Sequence, residues 1–160
     1  MIVLVSLRLK PYVGDRLAAE MPVEVSTVRP SGRGTILGLG TDIVEIVRIG
    51  QMIERHAELF LKRVYTDEEI RYCQRRKNSY QHFAGRWAAK EAVMKTLGTG
   101  WTRGVGWQDI EVCSQKNGQP TIEIHGSARE YSRRIGIDEV LITISHCRAY
   151  ATATAVAIAH

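Results

Sequence analysis

At 160 residues the chain is long enough for one domain with a buried core. It is 44% hydrophobic and 24% charged, as soluble globular proteins are, and its net charge of +5 points to an anionic partner without choosing among nucleic acid, membrane surface, phosphorylated metabolite and acidic protein. Three widely spaced cysteines with no C-x-x-C pair argue against a disulfide framework or a zinc site and fit a reducing cytoplasm, and no apolar run reaches the ~20 residues of a membrane helix.

Residues 1–35 hold three of the four prolines, lack sustained periodicity and end in the breaker-rich "RPSGRG". They read as a poorly ordered extension, with a short strand at Ile2 to Leu7 as the only element in view. The apolar start "MIVLVSLRLK" lacks the leading positive charge of a secretory signal. A single domain is expected over residues 36–160.

"ILGLGTDIVEI" opens as a buried strand and changes to helical spacing. Ile43, Ile46, Val47, Gly50, Ile53, Ala57 and Phe60 recur at threes and fours, and Arg48, Met52 and Arg55 share another face. Thr66 followed by Glu69 is a capping box that opens a second helix. Asn78 with Gln81 starts a third through Leu97, and Gly98 is placed to stop it. Two alternating runs around "KNGQP" predict a β-hairpin, "SAREYSRRIGIDE" a further helix, and "VLITISHCRAYATATAVAIA" two more strands. The sum is an α+β domain, with helices largely in the first half and antiparallel sheet in the second.

The third helix carries chemistry. At 100° per residue Phe83, Trp87, Met94 and Leu97 form its core stripe. Beside the stripe lie Ala84, Ala88, Glu91 and Lys95, and the small alanines suggest the open floor of a pocket rather than a plain surface ion pair. Arg86 and Lys90 are a like-charged i, i+4 pair, mildly repulsive unless an anion lies near. A carboxylate among cations suits phosphoryl chemistry: Mg²⁺ takes one or two carboxylates plus phosphate oxygens, and Lys or Arg neutralises what remains. Asp42, expected where a strand turns into a helix, is the best partner for Glu91. A plain N-cap role for Asp42, paired with Glu45, stays open. His146 follows an apolar strand and could emerge at a site. The five histidines show no metal-ligand spacing, so a His-based zinc or iron centre is not expected.

"GLGTDIVEIVRI", "FAGRWAAKEAVMKTLGTG", "GVGWQDIEV", "NGQP" and "ITISHCRAYATATAV" occur in this order across residues 37–156. Together they resemble the holo-acyl-carrier-protein synthases, the short 4′-phosphopantetheinyl transferases of fatty-acid synthesis. The resemblance implies the α+β fold of those enzymes. It also implies transfer of the phosphopantetheine arm of coenzyme A to a serine of apo acyl carrier protein, with release of adenosine 3′,5′-bisphosphate. Under it Asp42 and Glu91 hold Mg²⁺, with Mn²⁺ an equal fit to an all-oxygen site, and Lys95 contacts phosphate.

On the same resemblance, Arg86, Lys90, Gly98, Gly100 and His146 are expected to join Lys95 in binding coenzyme A, with Trp101 shaping the adenine end. Arg48, Met52 and Arg55 are expected to dock the acidic carrier. The resemblance also implies a homotrimer with active sites between subunits, expected in the cytoplasm. A carboxylate or metal-bound water is favoured over His146 to take the serine proton. Thr143 and Gly106 stand where this family commonly has serine, and residues 1–35 are foreign to its usual start. The rival reading is a basic nucleic-acid-binding module using "QRRKNSYQ", with no catalysis; neither a nucleic-acid nor a membrane partner is expected.

Overall fold

The computed structural model describes residues 34–99 and 104–160. The strand expected at Ile2 to Leu7, the rest of the extension to residue 33, and the site residues Gly100 and Trp101 lie outside the described residues. The described elements are β1 (Thr35–Glu45), α1 (Ile46–Val64), α2 (Asp67–Gln74), α3 (Ser79–Leu97), β2 (Ile110–Ser114), β3 (Pro120–Ile124), α4 (Gly126–Arg134), β4 (Glu139–His146) and β5 (Tyr150–Ala159). Strands β1, β5 and β4 form an antiparallel sheet in that order, and β2 and β3 form the hairpin. The α+β expectation holds.

Small residues set how closely the layers meet. Helix α3 crosses the inner face of the three-stranded sheet, where β5 presents Ala151, Ala153, Ala155 and Ala157, all buried. A Cβ built on Gly38 would fall 2.5 Å from the carbonyl oxygen of Thr96, and one on Gly40 would overlap that of Ala92. Helix and strand backbones therefore touch with no side chain between them. Ala84, Ala88, Ala89 and Ala92 complete the contact at 0% exposure. The expectation that Ala84 and Ala88 leave room for a ligand is corrected here: both are fully buried in the protein's own core.

Two elements depart from their predicted pattern. Strand β1 was expected to be buried, but Ile36, Leu37, Leu39 and Ile43 are between 45% and 67% exposed. It is an edge strand, and these side chains stand open to solvent. In α1 the predicted stripe holds at Gly50 and Phe60 and fails at Ile43, Val47 and Ala57. Ile43 still belongs to the strand, Val47 is exposed, and Ala57 has φ 43° and ψ −124°, which breaks the helix. The break resets the helical phase, so Ile49 and Gly50 are buried before it and Phe60 and Val64 after it.

Local signals elsewhere are realised. Thr66 Oγ1 accepts from the Glu69 amide while a Glu69 carboxylate oxygen accepts from the Thr66 amide. Gly98 stops α3 in the left-handed region at φ 67°. Asn78 starts α3 without a side-chain capping bond. An aromatic cluster joins α1, α3 and the segment before β2: Trp87 stacks on Phe60 at 5.7 Å between ring centroids and lies 4.3 Å from Trp107. It is what holds α3 at a fixed angle to its neighbours.

Candidate active site

Asp42 sits inside β1, opposite Ala153 of β5, and its carbonyl accepts from Thr152 Oγ1 at 2.8 Å. Three residues lie between it and the first residue of α1, whose N-cap is Glu45 and has no side-chain capping bond. That overturns its placement at a strand-to-helix junction and removes the N-cap alternative for the Asp42–Glu45 pair. The charge beside Asp42 is Lys95 instead. The Lys95 ammonium donates to Asp42 Oδ1 at 2.8 Å and to the Thr41 carbonyl at 2.9 Å. The Lys95 side chain is 48% exposed and Asp42 only 16%, so the pair forms a lip open to solvent on one side. Glu91 lies one turn before Lys95 on α3 and is partly buried. The backbone contact at Gly38 and Gly40 is what brings this end of β1 against α3.

Arg86 and Lys90 part company. Lys90 is fully buried, 2.7 Å from Glu69 Oε2, and donates to the carbonyls of Trp107 and Ile110 at 3.0 and 2.6 Å. Burial pushes its ammonium below the usual lysine range and Glu69 pulls it back up. With three acceptors and no solvent contact, Lys90 binds the fold together and has no hydrogen left to offer a ligand; the anion beside it is the chain's own Glu69. Sequence reading saw Glu69 only as a cap. Its other oxygen accepts from the Val112 amide at 3.0 Å, a role fixed by residues more than forty positions away.

Arg86 faces a cavity of about 510 Å³ between α2, α3 and the β2–β3 hairpin. Its guanidinium lies 3.9 Å from the centroid of the Tyr72 ring, Nη2 donates to Ser114 Oγ at 3.5 Å, and the buried Nε has no partner. Arg76 and Lys116 line the same cavity. These partners were missed; Tyr72 and Arg76 are separated by one turn, the spacing that could have suggested them.

His146 ends β4, exposed, with Nδ1 2.8 Å from Gln81 Nε2. Its ring lies 6.4 Å from that of His82, which in turn lies 5.8 Å from Tyr72. Burial, then the nearby Arg86 and Arg76, lowers the His82 pKa. On α1, Arg48 and Arg55 are exposed as expected. Met52, placed on the same face, is half-buried against the core.

A carboxylate and ammonium at an open strand edge, with a separate arginine-lined cavity along the same helix, are the charge types that suit a phosphorylated ligand. The 4′-phosphopantetheinyl transferase superfamily is the class that this fold and site define, and its family model matches residues 38–155. A holo-[acyl-carrier-protein] synthase of Solibacter usitatus is 45% identical over 114 residues, 71% of this chain and 91% of the relative. The crystal structure of the holo-[acyl-carrier-protein] synthase of Neisseria meningitidis superposes with a TM-score of 0.72 at 29% identity, covering 77% of this chain and 98% of that one. The Helicobacter pylori synthase, solved in complex with coenzyme A, superposes at 0.66 with 29% identity, covering 74% and 98%. The chain belongs to the holo-[acyl-carrier-protein] synthase family of phosphopantetheinyl transferases.

Proposed function

We propose that the chain moves 4′-phosphopantetheine from coenzyme A to a serine of apo acyl carrier protein, for fatty-acid synthesis in the cytoplasm. The observation that carries this is the Asp42–Lys95 contact, which sets a carboxylate and a cation side by side at an open edge, one turn from Glu91. Arg86, with Arg76 and Lys116 around it, supplies a second cationic site suited to the nucleotide end of the cofactor.

The donor chemistry fits Mg²⁺. Asp42 and Glu91 are oxygen donors, neither is sealed from solvent, and Lys95 occupies only Oδ1 of Asp42. These two carboxylates would hold the ion. Bound there, it supplies Lewis-acid neutralisation of the pyrophosphate charge. The chain's own residues do the rest. Lys95, pinned by Asp42 and the Thr41 carbonyl, presents its remaining hydrogen to a phosphate oxygen without reorganising. The carrier serine oxygen forms a bond to the β-phosphorus, and the bond from that phosphorus to the bridging oxygen breaks. The serine proton passes to a carboxylate at this edge, and adenosine 3′,5′-bisphosphate leaves.

Arg48 and Arg55, exposed on α1, suit an acidic carrier helix. His146, at the open end of β4, is assigned to holding cofactor phosphate or pantetheine. Three copies of the chain pack through the outer sheet face, where Leu37, Leu39 and Ile43 are exposed. No described helix is long and apolar enough to cross a membrane. Nothing in the site favours the nucleic-acid reading.

The test is to incubate the protein with coenzyme A, Mg²⁺ and an apo acyl carrier protein and weigh the carrier. The expected result is a gain of about 340 Da, the phosphopantetheine carried by the cofactor, lost in Asp42→Ala and Glu91→Ala. A well-folded protein that adds no mass to the carrier refutes the reading.

A further inference from the structure

Positive groups gather around one ring of α2. The Arg86 guanidinium lies 3.9 Å from the centroid of Tyr72, and that of Arg76, just past the end of α2, lies 4.6 Å from it. His82 stands one helical turn before Arg86 on α3 and meets the same Tyr72 ring edge-on at 5.8 Å. The His146 ring, at the end of β4, is 6.4 Å from that of His82. Two guanidiniums and two imidazoles therefore form one strip that joins the Arg86 cavity to His146.

Two further observations mark this strip as incomplete without an anion. Arg86 is only 5% exposed, yet its buried Nε has no partner, whereas buried polar groups are ordinarily hydrogen-bonded. The half-buried His82 bears the cost of the surrounding charge. Burial opposes its protonation first, then Arg86 from its own helix, Arg76 from the segment after α2, and His146 from β4. Glu68, Glu111 and Glu123 also line the cavity, but the charges acting on His82 itself are those three positive groups. Among the described residues no hydrogen bond holds either nitrogen of its ring.

We propose that His82 takes up a proton when the phosphate monoester of coenzyme A, on its ribose, settles against Arg86 and Arg76, so that cofactor binding is proton-linked. This rests on the transferase reading and concerns the regulation of that same site. The monoester is selected by charge: it carries about −1.5 to −2 near neutral pH, and the pyrophosphate is already matched to the Asp42–Lys95 edge. With the monoester in place, the repulsion from the two arginines is offset and an imidazolium at His82 gains an opposite charge nearby. One proton passes from solvent to a ring nitrogen of His82 on binding and returns to solvent on release; no covalent bond changes. Without the ligand His82 is neutral at neutral pH, its pKa lying below the usual histidine range. With it, the proton is held to higher pH. Binding therefore tightens as pH falls through the liganded value, until the phosphate itself is protonated below about pH 6. His82 is a positioning residue in this scheme, acting through the charge of Arg86.

The test is calorimetric titration of the full chain with coenzyme A and Mg²⁺ near neutral pH, in two buffers of different ionisation enthalpy. The buffer dependence of the heat counts the protons taken up. The wild-type chain should take up a fraction of a proton. The uptake should be lost in His82→Phe, which keeps a ring against Tyr72 but cannot titrate, and with dephospho-coenzyme A, which lacks the monoester. From about pH 8 down to about pH 6.5, the affinity advantage of wild type over His82→Phe should grow at least about threefold. No uptake in the wild-type chain, uptake that persists in His82→Phe, or equal uptake with dephospho-coenzyme A overturns the proposal and leaves the transferase reading standing. A chain that does not bind coenzyme A at all overturns both. Should His82→Phe fail to fold, NMR titration of the His82 ring in the wild-type chain decides: a midpoint unmoved by coenzyme A is equally fatal.

Discussion

Lys90 and Lys95 are five residues apart on α3 and lie in different media. Lys90 is sealed against Glu69 and two carbonyls, whereas the Lys95 side chain is half exposed at the Asp42 edge. Removing one member of a buried ion pair leaves the other charge stranded, so Lys90→Ala should cost about 3–5 kcal/mol in urea unfolding. Lys95→Ala removes a partly exposed pair and should change stability by no more than about 1 kcal/mol. Its effect belongs to turnover instead, a fall of about 10²–10³ in kcat for phosphopantetheine transfer, read by carrier mass. Equal loss of stability in both variants would dissolve the distinction. The E-x-x-x-K spacing at Glu91 and Lys95 is legible from the chain. That Lys90 would turn inward is not, because its acceptors come from α2 and from the segment leading into β2.

At the scale of elements, the contact between α3 and β1 positions the candidate site. Gly40 stands opposite Ala155 and directly beneath the Ala92 carbonyl, with Asp42 two residues further along the strand. Any side chain at Gly40 must push the helix off the strand. Gly40→Ala should therefore cost about 3 kcal/mol in denaturant unfolding, at the upper end of overpacking effects. Transfer activity should fall too, since Asp42 and Lys95 meet only across this contact. Undisturbed stability would show that helix and strand have slack the geometry denies. The run of alanines in α3 is plain in the sequence, but small side chains equally permit a ligand, a neighbouring helix or a sheet, and only the packed fold shows a sheet there.

For the whole molecule, exposed apolar side chains gather on the outer face of the three-stranded sheet. Leu39 is 67% exposed and Ile43 66%, on an edge strand that water would ordinarily face with polar residues. If three chains associate through this face, Leu39→Lys should shift the sedimenting species from three-chain to one-chain mass. Activity should fall with it if each site is completed by a neighbour. A wild-type chain that sediments as a monomer, or a variant that stays assembled, would remove the face from consideration.

The sequence by itself determined what depends on near neighbours along the chain. The Thr66–Glu69 capping box, the Gly98 stop, the hairpin turn at Asn117–Gly118 and the order of helices and strands all rest on steric and hydrogen-bonding rules acting over a few residues. The ordered motifs that mark the family are likewise one-dimensional. The tertiary structure alone decided which charges meet. It placed Asp42 within a strand, closed Lys90 on Glu69, and filled the space beside the α3 alanines with β5. Periodicity says which residues share a face; what covers that face is settled by segments distant in sequence, through packing and desolvation that no local pattern encodes.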